Sequence, residues 1–259
     1  MLPVTDQGLV LHARADGPVD APAVLLLNSL GTDLRMWDDV VEDLARDRRV
    51  LRFDKPGHGL SQKAAGPLGI ADLGRMALAV MTAAGVPRAH VVGLSIGGQI
   101  AMDIARRAPE RLDRLVLSNT AARIGTAEAW RARIAAVAET GLDAMAPGVM
   151  ERWFSARWRS EHPARLALWQ TMLARTDAPG YAACCEALAA SDLTDACASI
   201  TAPTLVIAGA EDGATPPDLV RGMADLIPGV RYVLMEGAGH LPCVEDPRAY
   251  AALLRAHLG

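Results

Sequence analysis

The stretch His90-Val-Val-Gly-Leu-Ser95-Ile-Gly-Gly-Gln-Ile-Ala-Met-Asp-Ile-Ala-Arg-Arg107 decides the fold. Its opening residues, His90–Leu94, form a candidate strand in which Val91-Val92 is apolar without alternation, as expected of a strand covered on both faces. A helical pattern follows over Ile96–Arg107 and stops at Ala108-Pro109, where proline bars further helix. Between strand and helix lies Gly93-Leu94-Ser95-Ile96-Gly97-Gly98, a G-x-S-x-G turn. A serine in so tight a turn is forced into strained backbone angles, which push its hydroxyl away from the sheet. The flanking glycines remove side chains that would collide there. The helix N-terminus turns its free N–H groups towards developing negative charge. Ser95 is therefore the candidate nucleophile.

Outward from this turn, strands and helices alternate in a βαβ arrangement. Further strands are expected at Leu9–Ala13, Ala23–Leu27, Arg49–Phe53, Leu112–Ser118, Thr204–Ala208 and Arg231–Met235. Helices are expected at Leu68–Ala84, Asp218–Leu226 and Pro247–His257. The alternation lapses from Ala122 to Ser199, which is helical almost throughout and holds Trp130, Trp153, Trp158 and Trp169, four of the chain's five tryptophans. This reads as an α/β core, residues 1–121 and 200–259, carrying a helical lid at 122–199. The aromatics pack the lid or line a pocket above the strand ends, where open α/β sheets place their ligands.

At 259 residues and 51% hydrophobic, the chain can bury a large core. A net charge of −4 with both signs scattered argues against nucleic acid or an anionic membrane as partner. The N-terminal Met1-Leu-Pro-Val-Thr-Asp6 has no basic start before an apolar run, and no stretch approaches about 18 apolar residues. Neither a signal peptide nor a membrane span is expected. The four cysteines (Cys184, Cys185, Cys197 and Cys243) lack metal spacing or a CxxC pair. They read as reduced thiols of a cytoplasmic protein.

A serine hydroxyl needs a base, and the base an orienting carboxylate. With this type of turn the chain order is serine, acid, histidine. Thr204–Ala208 runs into Gly209-Ala-Glu211-Asp212-Gly-Ala-Thr-Pro-Pro217, and the next strand into Glu236-Gly-Ala-Gly-His240. Acid and base would thus emerge at the same sheet edge as Ser95. Asp212 is favoured over Glu211, which reads as a solvated loop charge. His240 is the expected base. His58, in Asp54-Lys-Pro-Gly-His-Gly59, precedes the nucleophile and is given a structural role in its turn. His12, His90, His162 and His257 are expected at the surface or at helix ends. For the oxyanion, the backbone N–H of Ile96 is one donor. Leu30, in the Asn28-Ser-Leu-Gly-Thr-Asp33 loop after an early strand, is the expected second.

These motifs resemble the 3-oxoadipate enol-lactonases of the α/β-hydrolase fold. The resemblance rests on Asn28–Asp33 with Trp37, Leu51–Asp54 with Gly57-His-Gly59, and Gly93–Gly98. More specific are Ser118-Asn-Thr-Ala-Ala-Arg-Ile-Gly125 with Trp130, Tyr181–Glu186 and Ala208–Pro217. Two departures stand out. Lys55-Pro56 replaces Thr-Arg and is expected to alter the loop beside the pocket, and Ile96 replaces Met, a mild change that keeps the backbone donor.

The resemblance implies a mostly parallel sheet with helices on both faces. It also implies opening of a small-molecule lactone, 3-oxoadipate enol-lactone, to 3-oxoadipate in aromatic degradation, by an acyl-enzyme route without metal or cofactor. The substrate carboxylate should want a cation or N–H donors. Arg123 and Arg133, near Trp130, are the candidates, and Arg133 shares a helical face with that tryptophan. A carboxylesterase, a perhydrolase or a carbon–carbon bond hydrolase would share the same catalytic residues, and a non-catalytic ligand-binding relative would share the fold. Assembly into a homo-oligomer stays open.

Overall fold

The computed structural model describes residues 1–259. One eight-stranded sheet forms its centre. In chain order the strands are β1 (Leu2–Asp6), β2 (Leu9–Asp16), β3 (Ala23–Leu27), β4 (Arg49–Phe53), β5 (Ala89–Leu94), β6 (Leu112–Ser118), β7 (Thr204–Gly209) and β8 (Arg231–Met235). In space they lie β1-β2-β4-β3-β5-β6-β7-β8; the β1–β2 and β2–β4 pairs are antiparallel and the rest parallel. Every residue of β5 and β7 is buried, which is why these runs carry no polar alternation.

Seven of these strands follow the sequence reading. The eighth, β1, does not: Val4 is its only buried residue, so no periodic signal marks it. It is held instead by a two-residue hairpin turn, with Gln7 at φ 47° and Gly8 at φ 83°, the twist-matched geometry favoured between paired strands.

The helices are α1 (Asp38–Leu44), α2 (Ile70–Ala83), α3 (Ile96–Arg107), α4 (Ala127–Trp153), α5 (Ala156–Glu161), α6 (Pro163–Ala174), α7 (Ala178–Ala189), α8 (Thr194–Ala198), α9 (Pro217–Ala224), α10 (Pro242–Glu245) and α11 (Pro247–Leu258). Five of them, α4 to α8, sit between β6 and β7. Helix α4 is broken at Gly141, whose φ of 79° and ψ of 167° are not helical. The aromatics of this insertion pack chiefly on one another: Phe154 stacks on Trp158 at 4.3 Å between centroids and tilts against Trp169 at 5.8 Å. No helix is long and apolar enough to cross a membrane. All four cysteines are free and buried.

From β3 the chain crosses to β4 on one side, then returns to β5 on the other. The loops after β3 and β5 therefore diverge, leaving a crevice at their carboxyl ends. Parallel pairing of Leu27 with Gly93 sets the Asn28–Asp33 loop directly beside Ser95.

Candidate active site

Ser95 sits at φ 60° and ψ −123°, outside the regions a non-glycine residue favours, at the junction of β5 and α3. The strained backbone is held by neighbours: its N–H donates to the Ser118 carbonyl at 3.0 Å, and its carbonyl accepts from Thr120 Oγ1 at 2.7 Å. The glycines around it are sterically required. A Cβ on Gly97 would lie 2.1 Å from the Leu27 carbonyl oxygen, so any side chain there would push α3 off β3.

The acid and base meet as the strand ends place them. His240 Nδ1 donates to Asp212 Oδ2 at 2.8 Å. The same oxygen accepts from Thr215 Oγ1 at 2.7 Å and Asn119 Nδ2 at 2.9 Å. Oδ1 takes the N–H groups of Ala214 at 2.7 Å and Thr215 at 2.9 Å. Burial alone would raise the Asp212 carboxyl; the facing His240 and these side-chain donors outweigh it and hold it below the usual carboxylate range. Glu211 has no part in this cluster; its backbone N–H pairs with the Ala238 carbonyl. The far nitrogen of His240, Nε2, lies 3.5 Å from Ser29 Oγ, a residue the sequence did not single out.

Ser95, His240, Ser29, Leu30, Trp130 and Arg133 line one cavity of about 210 Å³, together with Arg152, Trp153, Tyr181 and Thr215. Leu30 lines it, and Ile96 follows Ser95 without lining it. Ile96 is the first residue of α3, where the backbone N–H has no intrahelical acceptor, and its side chain is buried beneath. The Leu30 loop is held from behind. Gly31, at φ 75°, donates its N–H to His58 Nε2 at 3.0 Å, and His58 Nδ1 in turn donates to the Pro56 carbonyl at 3.0 Å. Burial, with the nearby Lys55 charge, lowers the His58 imidazole to about 3, so it stays neutral and acts as an acceptor. Lys55 Nζ donates to the carbonyls of Ser29 at 2.8 Å and Asn28 at 3.1 Å. Burial lowers that amine to about 8. The Lys55-Pro56 departure thus bears on the back of the loop, since Lys55 does not line the cavity.

Two expectations need correcting. Arg123 is exposed and does not line the cavity. Its neighbours Ala121, Ala122 and Ile124 are buried, and a bend at Ala122–Arg123 leaves the arginine facing solvent. The cavity's second cation is Arg152, at the end of α4; burial and the nearby Arg133 guanidinium lower its pKa. Arg133 donates to Tyr181 Oη at 3.1 Å and lies over the Trp130 ring, 5.5 Å from its centroid. Burial pushes the Tyr181 phenol up to about 12. Among the other histidines, His162 and His257 do sit at helix ends, but His12 lies on β2 and pairs with Asp54 at 2.7 Å, and His90 is buried on β5. A strand that is covered on both faces buries its polar residue too.

The sequence also passed over Asn119. It follows β6, the one carboxyl strand end near Ser95 to which no role was given, and that position was the available signal. Arg152 carried none: it lies at the end of a long helical stretch with no motif around it.

Residues 22–247 match the family model described as alpha/beta hydrolase fold. The 3-oxoadipate enol-lactonase 2 of Acinetobacter baylyi is 36% identical over 247 residues, covering 95% of this chain and 92% of that protein. RutD of Variovorax paradoxus, named for carbamate hydrolysis, is 32% identical, covering 93% of this chain and 92% of that protein. The crystal structure of the enol-lactonase from Burkholderia xenovorans LB400 superposes with a TM-score of 0.96 at 39% identity, covering 99% of both chains. The chain belongs to the hydrolytic enzymes of the alpha/beta hydrolase fold and, within them, to the family of the 3-oxoadipate enol-lactonases.

Proposed function

We propose that this hydrolase opens 3-oxoadipate enol-lactone to 3-oxoadipate, as a step of aromatic catabolism in the cytoplasm. The observation that carries the proposal is one small cavity holding Ser95, His240 and two arginines, neither of which forms an ion pair with a protein carboxylate. At about 210 Å³ it falls below the about 300–1,000 Å³ of sites built for drug-sized ligands, which favours a small acid.

In this reading His240 Nε2 takes the Ser95 proton as the hydroxyl attacks the lactone carbonyl. Asp212 keeps the imidazole in the tautomer that presents Nε2 as a base and stabilises the imidazolium that forms. The N–H groups of Leu30 and Ile96 receive the oxyanion. Collapse breaks the ring C–O bond and expels an enolate, a better leaving group than an alkoxide. The enolate takes the proton from the His240 imidazolium to become the enol and leaves His240 a base again. The enol remains tethered to the acyl group and is able to attack backwards. Tautomerisation to the ketone removes that nucleophile, and water activated by His240 then frees the acid and Ser95. Arg133 and Arg152 hold the substrate carboxylate away from the reacting carbonyl, and α4 to α8 serve as the lid. Every step uses these side chains and water.

The test is a coupled assay with enzymatically generated 3-oxoadipate enol-lactone, run beside simple aryl esters. The expected result is a kcat/KM for the lactone at least tenfold above that for the esters, with Ser95→Ala losing both activities. Equal turnover of esters and lactone would make the protein a general esterase instead.

A further inference from the structure

Asn119 has a positive φ of 47°, and with Ser95 is one of only three non-glycine residues at positive φ. Its backbone N–H donates to the Ile207 carbonyl at 2.8 Å, tying the end of β6 to β7. The side chain is fully buried. Nδ2 donates to Asp212 Oδ2 at 2.9 Å and to the Gly239 carbonyl at 3.2 Å, while Oδ1 accepts from Ser118 Oγ at 2.9 Å. The orientation of this amide is fixed by chemistry: a carboxylate and a backbone carbonyl only accept, so the NH₂ group must face them. Both of its protons are used.

The two acceptors belong to different loops. Asp212 follows β7, and Gly239 immediately precedes His240 after β8. A single side chain from β6 therefore spans the loop of the acid and the loop of the base. Deleting it would leave the Gly239 carbonyl without this donor and remove one of three donors from the oxygen that His240 also uses.

We propose that Asn119 is a positioning residue for the hydrolytic reaction, acting through Asp212 and the His240 loop to set the acid–base pair. The inference rests on the proposed roles of Ser95, Asp212 and His240. The charged groups facing Asp212 are His240 from the β8 loop and Arg152 from α4. With Asn119 in place, Asp212 Oδ2 is held by three donors; without it the carboxylate loses one of the ties that aim it at His240, and the His240 loop loses its tie to β6.

Two variants separate this role from mere support of the fold. Asn119→Gly accepts the positive φ and removes the amide. Asn119→Asp keeps the size and the tolerance of positive φ, but replaces the donor with a carboxyl beside Asp212. The readouts are kcat and KM with p-nitrophenyl acetate from pH 5 to 9, thermal melts, and the rate at which a fluorophosphonate labels Ser95. Both variants are expected to lose about 10- to 100-fold in kcat at pH 8, the range for a buried hydrogen bond to a charged group. KM should stay within about twofold, and labelling should slow in parallel. In the wild type, His240 Nδ1–H should give a downfield proton resonance that moves in either variant. Folded variants with kcat within about threefold of wild type, or a loss carried by KM alone, would overturn the inference. Should one variant fail to fold, the other decides. If the wild type neither labels at Ser95 nor turns over the ester, the reading of the site itself fails, an outcome distinct from indifference of an active enzyme to Asn119.

Discussion

The two arginines that share the cavity with Ser95 differ in their surroundings, and that difference sets what each contributes. Arg133 is fixed by Tyr181 Oη and by the face of Trp130. Arg152 has the lowered pKa of a cation crowded by burial and by another cation. An anion entering the cavity relieves that crowding. Arg152→Ala is therefore expected to raise KM for the lactone by about 10- to 100-fold, with kcat less affected, consistent with about 1.5–3 kcal/mol for a charge-assisted hydrogen bond. A neutral aryl ester should show little change, and Arg133→Ala should behave alike. An equal rise in KM for both substrates would remove the carboxylate from the picture. Of these two, only Arg133 was legible in the sequence, because a helical face ties it to Trp130. Arg152 enters the cavity only because α4, broken at Gly141, brings its far end back to the acid loop, where the Gly213 N–H meets the Arg152 carbonyl at 3.2 Å. Local periodicity carries no record of that return.

At the scale of elements, the candidate nucleophile and acid were legible because each follows a fully buried strand, which hydrophobic runs locate well, and the base because it lies in the loop after the last strand, β8, where only Met235 is buried. The ties between their loops were hidden, because they are made by single side chains distant in sequence. Glu245 on α10 is one. Its Oε1 accepts the N–H groups of Gly239 at 2.9 Å and Ser155 at 3.1 Å, and its Oε2 accepts from Ser155 Oγ at 2.6 Å. Burial raises this carboxyl's pKa, against the opposing pull of those donors. The residue thus staples the loop of His240 to the start of α5. Glu245→Ala should lower Tm by several degrees, at about 2–4 °C per kcal/mol for a chain of this size. Glu245→Gln keeps an oxygen for the two N–H groups and should recover most of that loss. A differential scanning calorimetry trace for Glu245→Ala that overlays wild type would show the staple to be idle.

Across the whole molecule, the buried ionisable groups give stability a defined dependence on pH. His58 has its folded pKa depressed to about 3 from an ordinary 6.5. Between those values the unfolded chain binds the proton and the folded one does not, so stability falls as pH drops through 6.5 and continues to fall towards 3. The His58 contribution to that loss reaches up to about 5 kcal/mol. Asp212, also depressed, acts in the same direction as pH falls through its folded value. Lys55 works at the other end: with a folded pKa of about 8 against 10.5, stability rises with pH across that window. His58→Gln, whose amide oxygen still accepts from Gly31, should flatten the dependence of urea midpoints on pH between 6.5 and 4. An unchanged slope would place the acid sensitivity elsewhere. The fold class and seven of the eight strands could be read from the chain. This titration behaviour could not, because it depends on which side chains the packed loops shut away from water.

The joint between α4 and α5 has a practical meaning for engineering. The Trp153 carbonyl accepts the N–H groups of His240 at 2.8 Å and Leu241 at 3.3 Å, while the Arg152 carbonyl takes that of Gly213. The inserted helices are thus no interchangeable cassette on a finished chassis, since their backbone is part of the scaffold under the base. A chimaera that imports a foreign insertion to change specificity should keep Arg152 to Ser155 as native sequence and place its seams elsewhere. A graft cut through those four residues would exchange the pocket and unseat the histidine in the same operation.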